Sequence, residues 1–201
     1  MNSESAHGYR PCIIIPGIGQ SRVIETGENG EKIRNLWPFD PDIDALVKSV
    51  APSAARMMLL RRDCGFTAAL DKAVCVMLEP LSCTPDSMRK VRAEVVCYYC
   101  PVGECTAGEK RYIYKMVPLN ALADIIGEEN LYFFAYDIFG RADENARLLR
   151  EFIAMVKEQR QCEKVDLIPV SMGATVAEMY FELYGADQDV KRVIGVVPAY
   201  D

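Results

Sequence analysis

Apolar residues recur along this chain with two different spacings, and the alternation between them predicts the fold. Residues 12–15 are a continuous apolar run, mostly β-branched, held between Pro11 and Pro16. A short run bounded in this way is the pattern of a strand buried on both faces. Runs at 131–136, 165–170 and 193–197 predict three more such strands. Between these three the spacing lengthens to a helical one. Residues 142–160 place Leu148, Leu149, Phe152, Ile153 and Val156 on one face. Residues 173–184 form a second helical stretch that Gly185 ends. Strand, helix, strand, helix, strand is the order of a parallel sheet with right-handed crossovers.

The first half is less regular. A glycine-bearing loop, residues 16–21, follows the first strand. Thr-Gly-Glu-Asn-Gly at 26–30 predicts a hairpin turn between two short strands. Asp40 as N-cap and Pro41 at the first helical position open a helix through Ile43, Leu46, Val47 and Val50. A second helix is expected over 53–61 and a third near 67–72. Met57, Met58, Leu59 and Leu60 are expected to pack in a core or a cap. Residues 74–117 change character: Pro80 and Pro85 break them, 97–105 is turn-rich, and 93–99 and 111–116 look strand-like. This segment reads as an inserted cap or lid within one domain spanning 1–201. Pro118 then opens a helix carrying Leu119, Leu122, Ile125 and Ile126, which Gly127 ends. The expected fold class is α/β, a mostly parallel sheet with helices on both faces and an inserted cap.

Composition narrows the function classes. The chain has 201 residues and is half apolar, enough for a real core. A formal net charge of −6 lacks the basic footprint of nucleic-acid binding. No stretch reaches the roughly 18 apolar residues of a membrane span, and the N-terminus has no signal architecture. We therefore expect a soluble, cytoplasmic protein whose eight cysteines are reduced thiols. Cys97, Cys100 and Cys105, with Cys83 upstream, have one alternative reading as a four-thiolate zinc site. No cofactor is expected for the chemistry.

The candidate chemistry centres on Ser171. A buried strand runs into this serine and a helix starts at once, the setting of a nucleophile elbow. The backbone N–H of Met172 would then sit at a helix N-terminus, where it helps to hold an oxyanion. Gly173 lets that helix pack closely. The loop after the first strand should lie beside Ser171, because parallel sheets bind ligands at the carboxyl ends of their strands. A second oxyanion donor is expected there, from the backbone N–H of Ile18 or Gly19. The alternative is that Ser171 is an ordinary helix N-cap and the loop an ordinary turn. Asp137 either lines the pocket or caps its own turn.

Three blocks, in order, resemble the lecithin:cholesterol acyltransferase family and its lipase and phospholipase relatives. The first is Pro11-Cys12-Ile13-Ile14-Ile15-Pro16-Gly17-Ile18-Gly19, with Leu36-Trp37 downstream. The second is Phe134-Ala135-Tyr136-Asp137. The third runs from Val165 through Ser171 and Gly173 and on to Val193-Ile194-Gly195-Val196-Val197-Pro198-Ala199. The resemblance implies an α/β-hydrolase fold, an acyl-enzyme on Ser171, and a lipid or other ester as substrate. It departs from the family at Pro169 and Val170, where Gly-His precedes the family's serine, and at Ile138 and Phe139. In this fold the triad acid and histidine follow the serine. The one histidine, His7, precedes it, and the downstream aspartates are Asp187, Asp189 and Asp201. The expectation is that the acid and base lie beyond residue 201. The alternative is a non-catalytic binding or scaffold protein on the same fold.

Overall fold

The computed structural model describes residues 8–38, 43–86 and 89–199. In chain order the strands and helices begin with β1 (Cys12–Ile15), β2 (Val23–Thr26) and β3 (Lys32–Trp37). Helices α1 (Ile43–Leu60) and α2 (Phe66–Leu78) follow, then β4 (Ala93–Val95), α3 (Ala107–Met116) and α4 (Asn120–Ile126). The chain continues through β5 (Leu131–Phe133), α5 (Ala142–Arg160), β6 (Val165–Pro169), α6 (Gly173–Tyr184) and β7 (Val190–Val193).

The fold is mixed α/β around a four-stranded parallel sheet of order β5-β1-β6-β7. The chain leaves β1 toward one edge, reaches β5, then crosses back over β1 to β6. A right-handed crossover that reverses direction must change faces. The helices obey this. Ile13, Ile15, Tyr132, Phe134 and Leu167 pack beneath α5 and α6. The alternate residues Cys12, Ile14, Leu131, Phe133 and Ile168 pack on the other face, against α3, α4 and the segment before them. The all-apolar runs of β1 and β5 follow from this, since both faces of each strand are covered, and the one charged residue of β6, the buried Asp166, is paired with Arg192.

The part of residues 74–117 that follows β4 joins this second face: Tyr98, Val102, Cys105, Ile113 and Val117 belong to its core. Residues 111–116, expected to be extended, are helical. Thr106 caps α3, and the Glu109 side chain accepts from the Thr106 backbone N–H at 2.8 Å, completing a capping box. The alternating tyrosines mimic a strand. The buried pair Ile113 and Val117 instead follows the helical i, i+4 period.

The predicted hairpin forms. β2 pairs antiparallel with both β3 and β4 in a separate three-stranded sheet. Helix α1 corrects the expectation of two helices, because it runs through Pro52 without ending. One proline removes one i→i−4 bond. Alanines 51, 54 and 55 on either side favour helix. Asp40 and Pro41 lie outside the described residues. No residue of α1 or α2 is buried. The expected packing of the Met57–Leu60 run fails: Met58 is 77% exposed and Leu59 82%. Strand β7 begins earlier than expected and breaks off at Val193, with an isolated bridge from Val170 to Val196 beyond. Pro169 has no N–H to give this ladder, which accounts for the interruption.

Candidate active site

The sheet order fixes where a site can form. The connection from β1 leaves to one side and that from β6 to the other, so a crevice opens between their carboxyl ends. In open α/β sheets ligands bind at such a switch point. Two segments meet there: the loop 16–21 after β1 and the turn 170–173 after β6.

Ser171 lies between β6 and α6 with φ +46°. A left-handed backbone is unfavourable for a side chain with a Cβ and persists only where the surroundings enforce it. Here they do. Ser171 N–H donates to the Val196 carbonyl at 3.0 Å, and the Ser171 carbonyl accepts from Ala174 and Ala199 at 3.0 Å each. The reading of Ser171 as a helix N-cap is corrected. The cap position is Met172, with no side-chain cap bond, and Gly173 N–H donates to the Val170 carbonyl instead. Among the described residues the Ser171 hydroxyl has no hydrogen-bond partner.

Gly173 sits against the end of β1. A Cβ there would lie 2.2 Å from the Ile15 carbonyl oxygen and 2.8 Å from that of Pro16. Only glycine lets α6 start this close to the neighbouring strand. Gly17 faces Ser171 in the same way, since a Cβ on Gly17 would lie 3.0 Å from the Ser171 Cβ. The loop after β1 and the serine are therefore in van der Waals contact.

The loop is held by residues that sequence reading passed over. The Gln20 Oε1 accepts from Gly17 N–H at 2.5 Å, and its Nε2 donates to the Met116 carbonyl at 2.8 Å. Tyr112 donates to the Gln20 carbonyl at 3.3 Å. Tyr136 donates its hydroxyl to the Pro16 carbonyl at 2.8 Å, and its N–H donates to the buried Ser21 hydroxyl at 3.1 Å. Burial holds the Tyr136 phenol above its usual range, so it remains a donor. Gln20, Ser21 and Tyr136 all fall within quoted segments, but nothing local in the sequence announces partners about a hundred residues away.

These contacts decide which N–H groups remain available. Gly17 spends its own on Gln20. Among the described residues, the backbone N–H groups of Ile18, Gly19 and Met172 have no acceptor. These are the three that the sequence pointed to. The Ile18 side chain itself is exposed. Gly19, at φ +82°, turns the loop beside the indole of Trp37.

Asp137 caps its own turn, accepting from Phe139 N–H at 3.0 Å. It also receives both Arg89 Nε, at 2.7 Å, and Arg89 Nη2. Arg89 stacks over Phe139, and the Trp37 ring meets the same Phe139 edge-on at 5.2 Å. A cavity of about 720 Å³ lies elsewhere, between β3, α1 and α2, lined by Leu36, Leu46, Val76, Met77 and Leu81. No group of three metal-binding side chains converges among the described residues, so of the candidate zinc cysteines only Cys100 and Cys105 meet. No described helix is long and apolar enough to cross a membrane. His7 lies outside the described residues.

Comparison with protein-family models, with characterised proteins and with solved structures finds no match to this chain.

Proposed function

We propose that this chain carries the nucleophile and oxyanion site of a serine hydrolase or acyltransferase of the α/β-hydrolase type, acting on carboxylic, lipid-like esters. One observation carries the reading. Three backbone N–H groups without an acceptor among the described residues, on Ile18, Gly19 and Met172, belong to the two segments that meet at a serine held in a left-handed turn. Preorganised donors of this kind are what an acyl-transfer site requires, because the charge develops on the carbonyl oxygen in the transition state.

In this reading the Ser171 oxygen attacks the ester carbonyl carbon. The carbonyl oxygen takes the electron pair as an oxyanion held by Met172 N–H together with Ile18 or Gly19 N–H. Collapse of the tetrahedral centre expels the alcohol and leaves an acyl group on Ser171, which water or a second alcohol then receives. The serine proton goes to a histidine outside the described residues, oriented by an acid that is also outside them. Only the part of 74–117 before β4 is left to act as a cap in this reading, and its Val76, Met77 and Leu81 line the apolar cavity beside α1, a volume suited to an acyl chain.

The second reading, a binding or scaffold protein without catalysis, is favoured by the Ser171 hydroxyl having no partner among the described residues. Labelling of the full-length gene product by a fluorophosphonate probe separates the two. Labelling of the native protein but not of Ser171→Ala is expected. A folded full-length protein that takes no label would overturn the enzyme reading and favour the scaffold.

A further inference from the structure

We propose that Cys100 and Cys105 form a thiol–disulfide site, oxidised reversibly by a low-molecular-weight disulfide such as oxidised glutathione. Their sulfurs lie 3.7 Å apart. Among the described residues, which include all eight cysteines, no other thiol–thiol contact exists. A disulfide bond is about 2.05 Å long, so closure needs about 1.7 Å of approach, a distance that side-chain rotation covers.

The backbone already favours closure. The two cysteines bracket a single 3-10 turn, Val102–Glu104. Glu104 N–H donates to the Pro101 carbonyl at 2.9 Å, and Cys105 N–H to the Val102 carbonyl at 3.2 Å. Both sulfurs are thus held toward one another before any bond forms. Competition with this arrangement is slight, since the other contact of the Cys105 thiol is a weak donation to the Pro101 carbonyl at 3.7 Å.

Unequal exposure sets the order of events. Cys105 is buried and Cys100 half-buried. Burial, reinforced by Cys100 itself, pushes the Cys105 thiol up to about 12, so it keeps its proton. Cys100 is the sulfur an oxidant meets. As thiolate it attacks one sulfur of the small disulfide, forming a mixed disulfide and expelling one thiolate, which takes a proton. With Cys100 in the mixed disulfide its charge no longer opposes ionisation of Cys105, which loses its proton to solvent and, as thiolate, attacks the Cys100 sulfur and displaces the second small thiolate, which takes up a proton. Two protein thiols and one small disulfide become one protein disulfide and two small thiols. The two electrons pass to the small disulfide.

The bond would sit immediately before Thr106, the cap of α3. It would staple the start of the helix whose Tyr112 and Met116 hold Gln20. The inference stands apart from the esterase reading and is tested without it.

The full chain is equilibrated in glutathione buffers of increasing oxidised fraction, and intact mass, thiol content and Tm are read. Loss of two hydrogens and two thiols is expected, with a rise in Tm of roughly 4–8 °C for so small a closed loop. Cleavage after Glu104 should leave two peptides joined by the bond. The bond should persist in Cys97→Ser and vanish in Cys100→Ser and in Cys105→Ser, and Cys105→Ser should trap a glutathione on Cys100. Eight free thiols in oxidising buffer, a disulfide between other cysteines, or a stable glutathione adduct on unsubstituted Cys100 would each overturn the proposal.

Discussion

The parallel-sheet region and the β2–β4 region with α1 and α2 have similar apolar content but very different burial. In the first, β1, β5 and β6 are buried at every position, and α5 and α6 press their apolar stripes onto them. In the second, the two helices bury no residue, and leucines stand in the open. The difference is one of layering. A sheet covered on both faces removes whole side chains from water, whereas α1 and α2 pack mainly against each other, with a cavity between them and β3, and so leave their surfaces wet. Apolar content supplies the driving force for burial, but only a second layer lets it act.

Substitutions can break or sharpen this contrast. The largest effect is expected at the join between α6 and β1. Gly173→Ala places a methyl group 2.2 Å from a backbone oxygen that cannot swing aside, and should cost more than about 3 kcal/mol in a urea titration. A cost near zero would show that α6 does not start against β1. Next comes a matched pair of leucines. Leu167→Ala, in the buried β6, should cost about 3 kcal/mol, and Leu59→Ala on α1 no more than about 0.5 kcal/mol. Equal costs would mean that α1 is covered by something else in solution.

A smaller change, of opposite sign, is expected at the serine. Ser171→Gly relieves a left-handed backbone and should raise stability by up to about 1 kcal/mol while removing any nucleophile. A loss of stability would argue that the hydroxyl itself holds the turn.

The smallest expected effect is on pH dependence. Burial, aided by Asp166, pushes the Cys12 thiol from 9.0 to about 12. Above about pH 9 the unfolded chain releases this proton and the folded chain keeps it. Stability therefore falls as pH rises through that window. Thermal melts from pH 8 to 11 should show the decline, and Cys12→Ala should make it shallower.

Much of the parallel sheet was legible because each of its signals is local. The bounds of β1, α5 and α6 follow from a bounded apolar run, a 3.6-residue stripe and a terminating glycine. Ser171 was legible for the same reason: strand, serine and helix are consecutive. The rest failed where a local pattern has two physical solutions. Arg111 to Met116 alternates like a strand, yet the Thr106–Glu109 cap makes it a helix. Pro52 looks like a break, yet α1 continues through it. The Met57–Leu60 run looks like core, yet Met58, Leu59 and Leu60 are exposed.

By itself, then, the sequence determined that strands alternate with helices, that the sheet is parallel, and that a serine stands at the carboxyl end of a buried strand. Tertiary structure alone decided which strands are neighbours and so where the switch point opens. It alone brought Gly17 against Ser171, tied Gln20 to Met116, left the N–H groups of Ile18, Gly19 and Met172 without an acceptor among the described residues, and paired Arg89 with Asp137. The reason is range. Periodicity and capping act within a few residues of the chain, whereas these contacts join segments up to about 150 residues apart, and only the packing of layers sets their distances.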